Sequence, residues 1–391
     1  MASARLAFAP VVSLLLIGMV ACGGSASPAS PAAASAPPAA SSPSSVAASS
    51  AAPSAKPAAA SASAKPGAAS GSAKPAASAS AKPTLVPAAP GQTLVAYSEI
   101  VGSNAALWGA KEGGLFQKNG VNADLRLIES SLSVSALLAN QVQVAAVGGS
   151  ESLAAAAQGA DLVGIATLGP VYPYKFEVPA AIKNKDDLKG KKVGVSRIGS
   201  SSDLATRIGL NKYGIDPNKD VSIVQVGSAS ARTAAMFSGA LQGALVTPPD
   251  TVKLEDKGFH PLFDMAAQKL PAANDMLMVK GDWLKGHRDV AQKIIDSVIQ
   301  AAALEKKDRA FAENAMKPYY KLSDKRLLDA AYDYFVGSAN PVLPYPTAAQ
   351  LKDALASVTK RIPAAKNYDL NKFIDASLVK SAADRGVDKK A

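Results

Sequence analysis

Two periods of apolar spacing alternate along most of this chain. Short runs at Leu94–Tyr97, Val144–Val147, Leu162–Leu168, Lys191–Val195 and Val221–Val226 have the length of strands, and Asn122–Ile128 alternates as a half-buried strand does. Between them the spacing changes to i, i+3, i+4, as at Val134, Leu137 and Leu138, which predicts a helix packed by one face. Gly- and Ser-rich turns join the two kinds of element, so the order reads strand, helix, strand. Pro261–Asp264 and Asp275–Val279 add two further strands. Gly169–Pro179, with three prolines and two tyrosines, reads as a break that leads into a crossover between lobes. After it, three helical stripes follow: Val290 to Ala302, Leu327 to Phe335, and Leu351 to Val358.

One stretch of this pattern occurs twice. SSLSVSALLANQVQVAAVGGSE, from Ser130 to Glu151, returns 99 residues later as ASARTAAMFSGALQGALVTPPD, from Ala229 to Asp250. The same offset carries Leu94-Val95-Ala96 onto Val193-Gly194-Val195 and Gly159 onto Gly258. Strand falls on strand and loop on loop, which predicts two similar α/β lobes facing each other across a cleft.

The chain has 391 residues, but its first part cannot build a core. Residues 1–22 have a short n-region with Arg5, an apolar run over Val11–Val20 and small residues before Cys22, the pattern of a secretory signal peptide. Cys22, directly after Ala21, resembles the lipidated cysteine of a bacterial lipoprotein; a plain signal peptide is the alternative. Residues 23–91 are almost wholly Ala, Ser, Pro, Gly and Lys, with Ala-Lys-Pro repeated four times. Such a composition buries too little apolar area to offset chain entropy, so it predicts a disordered, extended tether. The remaining 300 residues carry +6 of the chain's +11 charge, spread without a basic stripe, which disfavours nucleic acid as a partner. Cys22 is the sole cysteine, which excludes a disulfide framework and a thiolate metal site.

The candidate chemistry lies where strands end in polar turns that open helices. Free N–H groups there suit an anion or a polar acceptor. The candidates are Ser98, Ser103 and Asn104; Ser130, Ser131 and Ser133; Gly149, Ser150 and Glu151; Ser200, Ser201, Ser202 and Asp203; and Thr247 with Asp250. Each serine has a simple capping role as its alternative. Arg232 could supply a bidentate counter-charge or be structural. Trp108 could stack over a ligand or sit in the core, and Tyr172 and Tyr174 could line the cleft mouth or pack at the crossover. Glu151 and Asp250 could hold an ammonium group or merely favour their helix starts. There are two histidines, and no HExxH, nucleophile elbow or P-loop, so the chain reads as no enzyme, with no cofactor and no metal.

The succession GSNAALWGAKEGGLFQKNGV, SALLANQVQVAAVG, DLKGKKVGVSRIGSSSDLATRIGLNKYGID and SGALQGALVTPPDTVKLEDKG resembles the substrate-binding proteins of ABC importers. The branch is the one handling nitrate, sulfonates, taurine or thiamine-pyrimidine precursors. Thr247-Pro248-Pro249-Asp250 stands where that family often has Glu-Pro, and no His occurs in Gly199–Asp203. The resemblance implies a two-lobed type II periplasmic-binding-protein fold with a two-crossover hinge. Lobe one would be 92–182 plus 275–391, braced by C-terminal helices that bind nothing themselves, and lobe two 183–274. It also implies an extracytoplasmic, lipid-anchored monomer that captures a small solute and passes it to a permease and its ATPase. The helix starts and the mild positive charge point to an anionic organic solute such as a sulfonate or carboxylate. A surface scaffold or sensory partner, or a pyrimidine-precursor enzyme on the same fold, are the alternatives.

Overall fold

The computed structural model describes residues 89–390. The signal peptide, Cys22 and nearly all of the tether lie outside the described residues.

Among the described residues, ten strands form two five-stranded sheets. In chain order they are β1 (Thr93–Tyr97), β2 (Ala123–Leu127), β3 (Val144–Val147), β4 (Leu162–Val171), β5 (Lys175–Pro179), β6 (Lys192–Val195), β7 (Ser222–Gln225), β8 (Gly243–Val246), β9 (Phe259–Asp264) and β10 (Pro271–Lys280). The first sheet has the order β2-β1-β3-β10-β4 and the second β7-β6-β8-β5-β9. In each, three strands run parallel and the fourth in order is antiparallel to its neighbours. The two sheets thus share one topology.

The repeat read from the sequence is this shared topology. The helix Ser130–Leu138 reappears as Ala229–Phe237, β2 as β7, and Val144–Val147 as Gly243–Val246. Every residue of β3 and β8 is buried, as strands covered by helices on both faces require.

Each antiparallel strand is where the chain has just changed sheets. The chain leaves the first sheet between Val171 and Lys175 and returns between Asp264 and Pro271. Gly169–Pro179 carries the expected crossover, but as the ends of two strands rather than as an irregular break. Pro170 and Val171 extend β4, and Lys175–Pro179 pairs with both β8 and β9. That pairing moves the change of lobe upstream of residue 182. Pro179 sits at the strand's last position, where its missing N–H costs least.

The first sheet carries apolar clusters on both faces. One packs Val95, Trp108, Phe116 and Ile165 against Ile294, Ile295, Val298 and Ile299 of the helix Arg288–Lys307. The other packs Leu94, Leu137, Val147 and Leu153 with Met276, Leu351 and Phe373. The second sheet has corresponding clusters around Phe176, Val193 and Leu210, and around Met236, Leu241 and Val246. The predicted helical stripes are thus core-facing. The polar loops after β1, β3, β6, β7 and β8 are left facing the space between the lobes.

Candidate functional site

That space holds a cavity of about 410 Å³, within the range of small-molecule sites. Its first-lobe wall is Ser98–Ile100, Leu127, Glu129 and Ser130. Its second-lobe wall is Ser196, Arg197, Gly227–Ser230 and Thr247–Asp250 with Lys253. These are carboxyl ends of strands and starts of helices, the edge where open α/β sheets bind ligands. Tyr319, Tyr320 and Lys321 complete the lining from the end of the helix Arg309–Tyr320. The C-terminal helices therefore do more than brace the first lobe. A second pocket of about 30 Å³ adjoins it, and Ser98, Glu99, Ser130 and Ser196 line both. Its other walls include Glu151, Tyr174, Ser201, Ser202, Asn274 and Asp275.

The predicted positions divide into those that reach this space and those that support it. Ser98, Ser130, Thr247 and Asp250 line the large cavity, and Glu151, Ser201 and Ser202 line the small one. Ser131 lies in the first turn of the helix Ser130–Leu138. Ser103 is buried and donates to Asp275 Oδ2 at 2.9 Å. Asn104 donates to the Glu99 carbonyl at 3.2 Å and holds the turn after β1. Ser133 donates to the Ile128 carbonyl. Ser200 caps its helix by accepting from Asp203 N–H, and Asp203 accepts from Gly199 N–H and pairs with Arg207. Asp250 pairs with Lys253 at 2.8 Å.

Trp108 is a core residue. It is 0% exposed and stacks on Tyr319 with ring centroids 4.6 Å apart, so it backs a cavity wall without forming one. Tyr172 is buried, with its hydroxyl donating to Asp353 at 3.4 Å, and does not line the mouth. Gly149 is buried against Ala273 and Leu351.

Three contacts join the lobes across the floor. Arg232 Nη2 donates to Glu99 Oε1 at 3.2 Å, and its Nη1 donates to the Gly227 carbonyl at 2.8 Å. Ser201 donates to Glu151 Oε2 at 3.0 Å, and Ser150 donates to the Gly199 carbonyl at 3.2 Å. Arg232 is thus a structural cation that bridges the lobes. Gly148 lies where they meet: a Cβ there would stand 2.1 Å from Ser201 Oγ.

The electrostatics change from the mouth inward. Arg197, Lys253 and Lys321 stand on the large cavity among Glu129 and Asp250. No lysine or arginine lines the small pocket, where Glu99, Glu151 and Asp275 gather. Burial pushes the Asp275 carboxyl from its ordinary 3.8 up to about 7, with Glu99 and Glu151 adding to the rise and the side chains of Ser103 and Asn104 opposing it. Burial also raises Glu151, against hydrogen bonds from Ser201 and Ser130. Asp275 was missed from the sequence, although an acid inside an apolar run of a central strand was the signal for it. Glu99 was passed over between two better caps.

A model of the family described as NMT1/THI5 like matches residues 103–308, more than half of the chain. The chain belongs to the NMT1/THI5-like family. Among curated relatives it is 26% identical over 217 residues to a putative binding protein, YtlA, of Bacillus subtilis strain 168. That match takes in 54% of this chain and 65% of the relative, so the chain spans a little under two thirds of the relative's length. Among solved structures, the alkanesulfonate-binding protein SsuA from Xanthomonas axonopodis pv. citri, bound to MOPS, superposes with a TM-score of 0.58 at 21% identity. The superposition covers 75% of this chain and 98% of that one. The desulfurization enzyme DSZB superposes with a TM-score of 0.56 at 15% identity, over 75% of this chain and 100% of the enzyme. The fold is the two-lobed periplasmic-binding-protein fold that the family resemblance implied, here carried by an NMT1/THI5-like chain.

Proposed function

We propose that this chain is the extracytoplasmic solute-binding component of an ABC importer, capturing a small organic solute between its lobes. The observation that carries this reading is the cavity of about 410 Å³, walled by matching strand ends of both lobes and bridged by Arg232 and Glu99. A site split between two hinged bodies gains its contacts on closure and loses them on opening, as capture and release require. Membership in the NMT1/THI5-like family and similarity to a putative binding protein support it. The solute would pass to a permease driven by a cytoplasmic ATPase. The monomeric chain would be held at the membrane by a lipid on Cys22, at the end of the Ala/Ser/Pro/Lys tether.

The helix starts at Ser130, Ala229 and Asp250, together with Lys253, are available to an anionic group of the solute in the large cavity. The same fold serves DSZB, so an enzymatic role is the second reading. Against it, neither histidine lines the cavity; His260 is in β9, and His287 stacks on Trp283 at 5.2 Å. Differential scanning fluorimetry against a library of charged and neutral metabolites tests solute capture. A ligand at 100 times its Kd adds about 2.7 kcal/mol of stability. If no compound raises the melting point and turnover of one is detected, the reading is wrong.

A further inference from the structure

We infer that the small inner pocket receives a protonated amine, so that the captured solute is an ammonium compound with a short apolar body. The inference rests on the solute-capture reading and names the chemistry of its inner subsite. Three carboxylates, Glu99, Glu151 and Asp275, line this pocket. The cation beside it, Arg232, already spends one nitrogen on Glu99 and another on the Gly227 carbonyl. With both terminal nitrogens of Arg232 taken and no lysine or arginine among the lining residues, Glu151 and Asp275 have no cationic partner.

Asp275 supplies a second observation. It is 4% exposed and Oδ2 accepts from Ser103 at 2.9 Å; the Asn104 amide lies beside the carboxyl but donates to the Glu99 carbonyl, which leaves Oδ1 without a well-aligned donor. A buried carboxylate oxygen without a donor is costly, and an N–H donor carrying positive charge removes both parts of that cost. The pocket's volume of about 30 Å³ is enough for a water-sized group, so an ammonium head can enter while the rest of the molecule stays in the large cavity. A metal ion is a poorer fit, because among the described residues no three acidic or histidine side chains are placed to hold one. Outward from the pocket, Ile100, Leu127, Tyr319 and Tyr320 offer apolar and aromatic surface to the rest of the molecule. Burial raises both Glu151 and Asp275, and an arriving ammonium favours their charged forms, so protons are given up as it binds.

Calorimetric titration of the full chain at pH 7 with hexylamine, 1-hexanol, hexanoate and hexane-1-sulfonate tests this. Two buffers of different ionisation enthalpy report the protons released. Hexylamine is expected to bind at least tenfold more tightly than hexanol, with net proton release. Asp275→Asn and Glu151→Gln, each checked for a cooperative melt, are expected to weaken it at least tenfold. Equal affinity for amine and alcohol, or amine binding unchanged in both variants, overturns the inference. In that event solute capture stands if hexanoate, the sulfonate or a library compound still raises the melting point, and falls if none does.

Discussion

Arg232 Nη2 of the second lobe lies 3.2 Å from Glu99 Oε1 of the first, and this pair spans the floor of the crevice. The Arg232 side chain is 2% exposed and that of Glu99 is 24%, so one partner is desolvated and the other still meets water. Truncating the buried partner leaves Glu99 and the Gly227 carbonyl unpaired. Arg232→Ala is therefore expected to cost about 3 kcal/mol, the lower end for a broken buried pair. Glu99→Gln keeps a hydrogen-bond acceptor and is expected to cost about 1 kcal/mol. Urea unfolding measures both; equal losses would mean that the charge contributes nothing.

Asp275 predicts how stability changes with pH. Below its ordinary 3.8 both the folded and the unfolded chain hold its proton, and the group has no effect. Between 3.8 and about 7 only the folded chain holds it, so stability falls as pH rises and levels off above about 7. Glu305, raised to about 8 by burial in the helix Arg288–Lys307, acts in the same direction, as do Glu177, raised to about 7, and Glu151. Asp275→Asn removes its share and is expected to be more stable than the parent at pH 8 by roughly 1–3 kcal/mol, with little difference at pH 4. Melting temperatures across that range decide it. A constant offset at every pH would show that Asp275 is ionised throughout.

Much of the fold was legible because burial leaves a period in the sequence. Ser130–Leu138 and Ala229–Phe237 begin and end at the 99-residue offset, since each must present one apolar face to an equivalent sheet. The prolines of Gly169–Pro179 marked the first crossover, but the strand that follows it was not legible from local pattern. Lys175–Pro179 became a strand because the β8 edge needed a partner, a demand that its own Lys, Glu and Pro do not announce. The site was half legible. Turns that open helices marked Ser98, Ser130 and Thr247–Asp250, but nothing local distinguishes a capping serine such as Ser200 from a lining one such as Ser201. Asp275 and Tyr319 come from distant parts of the chain, brought in by β10 and by a C-terminal helix.

Gly148 is a position where a side chain would intrude on the contact between Glu151 and Ser201 of the two lobes. A Cβ there would fall 2.1 Å from Ser201 Oγ and 2.2 Å from Glu151 Oε2. Its own backbone is extended, with φ −61° and ψ 140°, so alanine adds no backbone strain. Gly148→Ala is thus expected to fold with nearly parental stability while keeping the lobes apart at the floor. Small-angle scattering with a saturating ligand would show a larger radius of gyration than the parent's. Calorimetry would show at least tenfold weaker binding, about 1.4 kcal/mol or more. Parental affinity would mean that Ser201 can turn away without loss.

Asp256 and Arg326 pair at the outer lip, 2.5 Å apart, between the end of the helix Asp250–Glu255 and the helix Lys325–Ala331. Their side chains are 48% and 56% exposed, so water and salt screen the attraction. Pairs of this kind contribute about 0–1 kcal/mol, and Arg326→Ala is expected to shift the urea midpoint hardly at all. The pair nevertheless links the two lobes, and what stabilises only the closed form slows opening. Ligand dissociation measured by stopped flow is expected to quicken about two- to threefold in Arg326→Ala at low salt. The difference should vanish near 1 M salt, where the screening length is about 3 Å. An effect that survives 1 M salt would point to packing by the arginine stem, as its apolar carbons can also cover the lip.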